Sequence, residues 1–241
     1  MSADAVFRAE AIRAGYGAGD IIQGVSAAVA PGAVASIVGP NGSGKSTLLK
    51  ALCGVLPPSG GRVLFGERDI TGLAPEEVAR AGVGYVPQLN DVFSPLTVRE
   101  NLQMGGYLLP SREVAAAIDR VLATFPRLGT MLTRRAGRLS GGERKMLAMG
   151  RVLMTEPAVF LLDEPTANLA PKVATELLTE HVRALAVGGA AVLVVEQRAR
   201  AVLAISDYTY VLRGGQVVLE GSPAELAATE GFVATFLGAA R

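Results

Sequence analysis

A mostly parallel β-sheet covered by helices on both faces, and therefore the α/β class, is the fold that the sequence predicts. Three observations predict it. Apolar runs of strand length, ASIV at 35–38, AVFLL at 158–162 and AAVLVV at 190–195, alternate with helix-like segments. These runs are continuous, as in strands buried on both faces, and do not alternate with polar residues. Each ends in polar or glycine-rich residues: GPNGSGKST after the first, DEP after the second, EQR after the third. The ends of parallel strands are where an α/β sheet gathers its ligands.

Taken in order, residues 5–30 alternate loosely and read as edge strands. Val34–Val38 is a short strand that runs into a Gly-rich loop and then a helix over 46–53. GRVLFGERDI (61–70) is a strand with a turn, and PEEVARAG (75–82) opens on Pro and closes near Gly, as a short helix should. VGYVPQ (83–88) is a strand with a polar end. From about 90 to 155 the pattern turns helical, through TVRENLQMGG, SREVAAAIDRVLATFPRL and SGGERKMLAMGRVLM. Strand and helix then alternate again over AVFLLDEP, PKVATELLTEHVRALAV, AAVLVVEQ and RARAVLAIS. A hairpin, DYTYVLRGGQVVLEG (207–221), turns at Gly214 and Gly215. The helical block reads as a lobe spanning 89–155, inserted into a core made of 1–88 and 156–241.

At 241 residues the chain is long enough for one α/β domain carrying such a lobe. Half of the residues are hydrophobic, yet no run approaches the roughly 18 apolar residues of a membrane helix. The start, MSADAVFRAE, has early acids and no apolar signal core, so no secretory leader is expected. The single cysteine, Cys53, permits no internal disulfide and reads as a core residue in an apolar helix. The formal net charge of +1 lends no support to a nucleic-acid partner.

Three segments carry chemistry. Gly39-Pro40-Asn41-Gly42-Ser43-Gly44-Lys45-Ser46-Thr47 matches G-x-x-x-x-G-K-[ST] between a strand and a helix. Its glycines let backbone N–H groups close around phosphate oxygens at a helix N-terminus. Lys45 would reach the β- and γ-phosphates, and the Ser46 hydroxyl would hold Mg²⁺. In VFLLDEP, Asp163 ends an apolar strand and can hold the same Mg²⁺, while Glu164 can accept a proton from an attacking water. In LSGGE, Ser140 and Glu143 satisfy the capping-box pattern around Gly141 and Gly142. A capping box does not account for two glycines in a first turn, each costing about 1 kcal/mol of helix propensity. Bare backbone at a helix start is what a closely approaching anion needs. Two phosphate sites are thus expected with only one P-loop.

The set GPNGSGKST, Gln88 after a strand, LSGGE and LLDEP, in this order, resembles the ATP-binding subunit of an ABC transporter. The resemblance implies a P-loop NTPase fold with an antiparallel β lobe and an inserted α-helical lobe, ATP with Mg²⁺ as cofactors, and ATP hydrolysis. It also implies a head-to-tail pair of nucleotide domains, each ATP lying between one chain's P-loop and the other's LSGGE. Tyr16 matches the aromatic that stacks on adenine. Gln88 matches the glutamine that touches Mg²⁺ and the water and links the core to the helical lobe. Residues 89–107 would then face the membrane-spanning permease subunits, with Phe93 a candidate contact. FPRL, SGGERKMLAMGRVLM, NLAP and VVEQ look like the smaller ATPase subunit of importers for branched-chain amino acids. By that likeness the chain sits peripherally on the cytoplasmic face of the inner membrane, with a solute-binding protein as an indirect partner.

Two positions depart from the superfamily pattern. Gln197 stands where most members carry a histidine that contacts the γ-phosphate, and Ala170 stands where many carry a loop aspartate. Gln197 donates a hydrogen bond but cannot become cationic. The one histidine, His181, lies in a helical stretch and reads as a surface or packing residue. The pair of departures suggests a second, different ATPase subunit as partner. Two rival readings are a non-transport ABC ATPase and a P-loop small-molecule kinase. The second leaves LSGGE unemployed; the first usually needs two cassettes or a long coiled-coil insertion.

Overall fold

The computed structural model describes residues 6–17, 19–229 and 232. Residues 1–5, on which the expectation of no leader partly rests, lie outside them. Two sheets form. β1 (Phe7–Ala14), β2 (Ile22–Val29), β4 (Gly60–Phe65) and β5 (Arg68–Asp69) make an antiparallel sheet in the order β2-β1-β4-β5. β3 (Val34–Val38) belongs to the second sheet. With β6 (Val83–Val86), β7 (Val159–Asp163), β8 (Ala191–Glu196), β9 (Tyr208–Arg213) and β10 (Gln216–Gly221) it forms the order β10-β9-β3-β8-β7-β6. Within it β9, β3, β8, β7 and β6 are parallel, and only β10 is antiparallel.

Strand periodicity explains why the central strands are apolar throughout. Alternate side chains enter two separate cores. Val34, Val38, Phe160, Leu162, Val192 and Val194 face one core, shared with the helical block. Ala35, Ile37, Leu161, Leu193 and Val195 face the other, shared with the antiparallel sheet and with Leu48, Leu49 and Leu52. Those three leucines belong to α1 (Lys45–Leu52), which follows β3 directly. A strand covered on both faces has no side for polar residues until it ends at the rim.

α2 (Pro75–Arg80) precedes β6. The helical block between β6 and β7 contains α3 (Val98–Gly105), α4 (Val114–Thr124), α5 (Pro126–Gly129) and α6 (Gly141–Leu153). The sequence reads 111–128 as one helix, but Pro126 lacks an N–H and starts a new short one instead. A second difference lies after β7. The single helix expected over 171–187 is α7 (Pro171–Glu176), a π-helical turn (Leu177–Val182) and α8 (Arg183–Val187). The Thr175 and Thr179 hydroxyls donate to the carbonyls four residues back, a bond that competes with the regular helical ladder. His181 sits in that wide turn and packs against Phe125 at 5.5 Å between ring centres. α9 (Ala199–Leu203) and α10 (Pro223–Ala227) follow β8 and β10 and complete the elements among the described residues. Cys53 is buried, and burial pushes its thiol up to about 11.

Candidate functional site

Register brings the chemistry to one rim. β3 pairs with β8 so that Val38 lies opposite Glu196, and β7 pairs with β8 so that Asp163 lies opposite Val195. The loop after β3, residue 164 and Gln197 therefore leave the sheet side by side. Glycine is required at two loop positions. A Cβ on Gly39 would lie 2.3 Å from the Leu212 carbonyl oxygen. Gly44 has φ +101°, a left-handed conformation, and a Cβ there would also meet Ile22 at 2.6 Å. Gly44 then caps α1 without a side-chain bond, leaving first-turn N–H groups directed at the loop.

The side chains of this rim are paired with one another. Lys45 is buried; its ammonium donates to the carbonyls of Gly39 (3.0 Å) and Pro40 (3.1 Å) and lies 3.3 Å from Glu164 Oε1. Gln88 Nε2 donates to the other oxygen of Glu164 at 2.9 Å. The Ser46 hydroxyl donates to Asp163 Oδ1 at 2.9 Å, and the Tyr85 hydroxyl to Oδ2 at 3.3 Å. Burial raises the Asp163 carboxyl above its ordinary range, against the opposing pull of the Ser46 and Tyr85 bonds. Burial first, and then Asp163, raises the Tyr85 phenol in turn. Glu164 has φ +45°, uncommon for a residue with a side chain, and such strain gathers at functional sites. Ser46 and Asp163 offer hard oxygen donors within hydrogen-bond distance of each other, the set that suits Mg²⁺ held by few protein ligands and substrate phosphates. Tyr16 is exposed at the foot of α1, where Lys50 donates to its hydroxyl at 3.3 Å.

Ser140 lies elsewhere, at the start of α6. The capping box is present: Glu143 Oε2 accepts from Ser140 N at 2.8 Å and Ser140 Oγ from Glu143 N at 3.4 Å. The bond from the Ser140 N–H holds the Glu143 carboxyl below its usual range. Gly141 and Gly142 have a reason beyond the one that the sequence suggests. A Cβ on Gly141 would meet Leu169 at 2.8 Å, and one on Gly142 would meet Val173 at 2.7 Å. Both glycines thus also lie close against side chains of the segment after β7, Leu169 in the loop and Val173 in α7, within this chain itself. Among the described residues no hydrogen bond or ion pair links 140–142 to loop 39–47.

The ABC transporter family pattern matches residues 22–167. The chain belongs to the ABC transporter family. It is 39% identical over 233 residues to the probable branched-chain amino acid transport ATP-binding protein LivF of Archaeoglobus fulgidus, covering 97% of this chain and 99% of that one. It is 39% identical over 211 residues to the high-affinity branched-chain amino acid transport ATP-binding protein BraG of Pseudomonas aeruginosa, covering 88% and 90%. Its fold matches the crystal structure of the ADP conformation of an ABC transporter's ATP-binding cassette, with a TM-score of 0.86, 33% identity and coverage of 97% and 99%. As an ABC transporter ATP-binding chain it binds ATP and is an ATPase. ATP-binding subunits of ABC importers work with transmembrane permease subunits. Among the described residues no helix is long and apolar enough to cross a membrane.

The cassette also holds residues to which sequence reasoning assigned no role. Glu196 is buried and accepts from Thr166 N (2.9 Å), Thr166 Oγ1 (2.7 Å) and Gln197 N (3.2 Å). Burial raises its carboxyl, and the Thr166 bonds oppose that rise. Arg198 donates to the Leu169 carbonyl at 3.0 Å. The residues on either side of Gln197 therefore clamp the loop between β7 and α7, which ends at the exposed Ala170. The signal was available: an acid closing an unbroken apolar strand must find donors. Gln197 itself is exposed at the rim.

Proposed function

We propose that this chain hydrolyses ATP within a two-chain nucleotide sandwich and so energises an importer for branched-chain amino acids or a similar small solute. The observation that carries the reading is Glu164, held between Lys45 and Gln88 beside the Ser46–Asp163 pair. The solute class rests on the full-length likeness to the archaeal LivF-type protein.

In this reading the loop N–H groups and the N-terminus of α1 cradle the phosphates, and Tyr16 stacks on the adenine. Lys45 exchanges the Gly39 and Pro40 carbonyls for phosphate oxygens. That exchange loosens its hold on Glu164, which then takes a proton from the attacking water. A positioned general base contributes roughly 10²–10⁴ in rate. Gln88 orients that water against Glu164. Ser46 and Asp163, with Gln88, would hold Mg²⁺, which when bound neutralises charge on the phosphates. Ser140 and the glycines after it would meet the ATP of the other chain.

The partner chain in this reading is a different ATPase subunit, because a homodimer would carry Ala170 and Gln197 at both sites. The permease faces residues 89–107. Leu89, Phe93, Met104 and Tyr107 are exposed there, beside a cleft of about 310 Å³ between β6, α3 and α6. In this reading the chain sits on the cytoplasmic face of the membrane, with the solute-binding protein reached only through the permease. ATPase activity of the purified chain is the test, compared with that of the complex reconstituted with both ATPase subunits and the permease. Turnover raised in the complex by solute-loaded binding protein is expected. Robust, cooperative turnover by the lone chain, unchanged by the partner, overturns the two-subunit arrangement, and copurification with ribosomes overturns the transport role.

A further inference from the structure

The segment that follows β6 is held by two cations of α6, one buried and one half-buried, and the buried one grips Gln88 itself. Lys145, one and a half turns from Ser140 on the same helix, is buried and donates to the Gln88 main-chain carbonyl at 2.8 Å. The same ammonium lies 2.8 Å from Asp91 Oδ2, in a contact that is ionic more than it is a well-aligned hydrogen bond. Further along α6, Arg151 donates to the Asp91 carbonyl at 2.5 Å, and its guanidinium lies 4.4 Å over the Phe93 ring. Asn101 of α3 closes the far end, accepting from Phe93 N and donating to Phe93 O.

From these contacts we infer that Lys145, with Asp91 as its counter-charge, is a positioning residue for hydrolysis that sets Gln88 against Glu164. The inference rests on the roles of Gln88 and Glu164 proposed above. Its physical basis is the burial of the pair. Asp91 and Lys145 are 7% and 8% exposed, so an opened latch would leave a charge buried and unpaired. Segment 88–91 is thereby obliged to move with α6. The carbonyl bond fixes the peptide plane of Gln88, and with it the reach of the side chain that donates to Glu164 Oε2 at 2.9 Å. A misplacement of about 1 Å at a reacting group can cost on the order of 10²-fold in rate. Lys145 and Asp91 themselves make no contact with the P-loop among the described residues, so ATP binding should feel the latch far less than hydrolysis does.

The test is steady-state ATPase of the full chain assembled with its membrane subunits. Lys145→Met removes the latch but strands Asp91. The double variant Asp91→Asn/Lys145→Met removes both charges, a change that folds tolerate far better, and still lacks the donor to the Gln88 carbonyl. For both variants kcat should fall by about tenfold, with KM for ATP within about twofold. In a Gln88→Ala background the double variant should add less than about a twofold loss, because Lys145 acts through Gln88. Normal kcat in the double variant, or an equal loss in both backgrounds, overturns the inference. Glu164→Gln run in parallel separates the two claims. If it leaves turnover intact, the proposed reading of the site fails; if it abolishes turnover while the latch variants behave as wild type, only the latch fails.

Discussion

Two helix N-termini in this chain open beside glycines, and they are built in opposite ways. The start of α1 is ringed by side chains of its own chain: the Lys45 ammonium, the Ser46–Asp163 pair and Glu164. Its cap is Gly44, which offers no side chain to compete for the N–H groups. The start of α6 is capped within the chain by Ser140 and Glu143, and its glycines lie against Leu169 and Val173. The first N-terminus is thus chemically equipped but locally uncapped. The second is locally satisfied, and its glycines lie against side chains of the loop after β7 and of α7. An anion alone would have explained glycine at both. At α6 the same glycines also bring the LSGGE segment close to Leu169 and Val173, on either side of Ala170.

The comparison breaks most visibly at Glu164. Glu164→Gln should leave ATP binding largely intact and lower hydrolysis by roughly 10²-fold or more, because the amide cannot take the proton. Near-normal turnover in the assembled complex would remove Glu164 from the role of base.

Next in size is Lys45→Ala. Loss of a charged donor should weaken ATP binding by the isolated chain by about tenfold to a hundredfold, measured by equilibrium binding of a fluorescent ATP analogue. Ser140→Arg sharpens the contrast, since it should change that binding less than about twofold while blocking ATP-dependent pairing of the two chains. If Ser140→Arg abolishes binding by the lone chain, the two N-termini serve one nucleotide and the sandwich is wrong.

The smallest effect separates the caps by pH. The Glu143 carboxyl is held below its ordinary value of 4.5, chiefly by the Ser140 N–H. Its folded pKa is therefore lower than its unfolded one, so its contribution to stability is complete above about 4.5 and is lost as pH falls through the folded value. Urea midpoints for wild type and Glu143→Gln should differ at pH 7 and converge on acidification. A gap that stays constant down to pH 4 would show that the carboxylate's charge contributes nothing to the cap.

Several parts of the site were legible in the chain before any folding. The P-loop, Asp163, Glu164 and the capping box are each contiguous, and their chemistry follows from residue type and spacing within a few positions. Strand and helix order was legible because hydrophobic period changes when a strand gives way to a helix. The break at Pro126 is also visible in the letters, while the π-helical turn at 177–182, which occurs where the Thr175 and Thr179 hydroxyls bond back and His181 packs on Phe125, is not.

What the sequence by itself determined is the set of groups and the order in which the chain presents them. How those groups meet, at which atoms and at what distance, was decided by the tertiary structure. Ser46 and Asp163 are separated by 117 positions, Gln88 and Glu164 by 76, and Gln88 and Lys145 by 57. No local pattern encodes those contacts. They arise because β3, β7 and β8 share a register that brings their ends to one rim, and because α6 packs across the segment leaving β6. Glu196 and Lys145 illustrate the limit. A lone acid at a strand end and a lone lysine in a helix carry no motif, and only burial, which removes water as a partner, compels each to hold another part of the site in place.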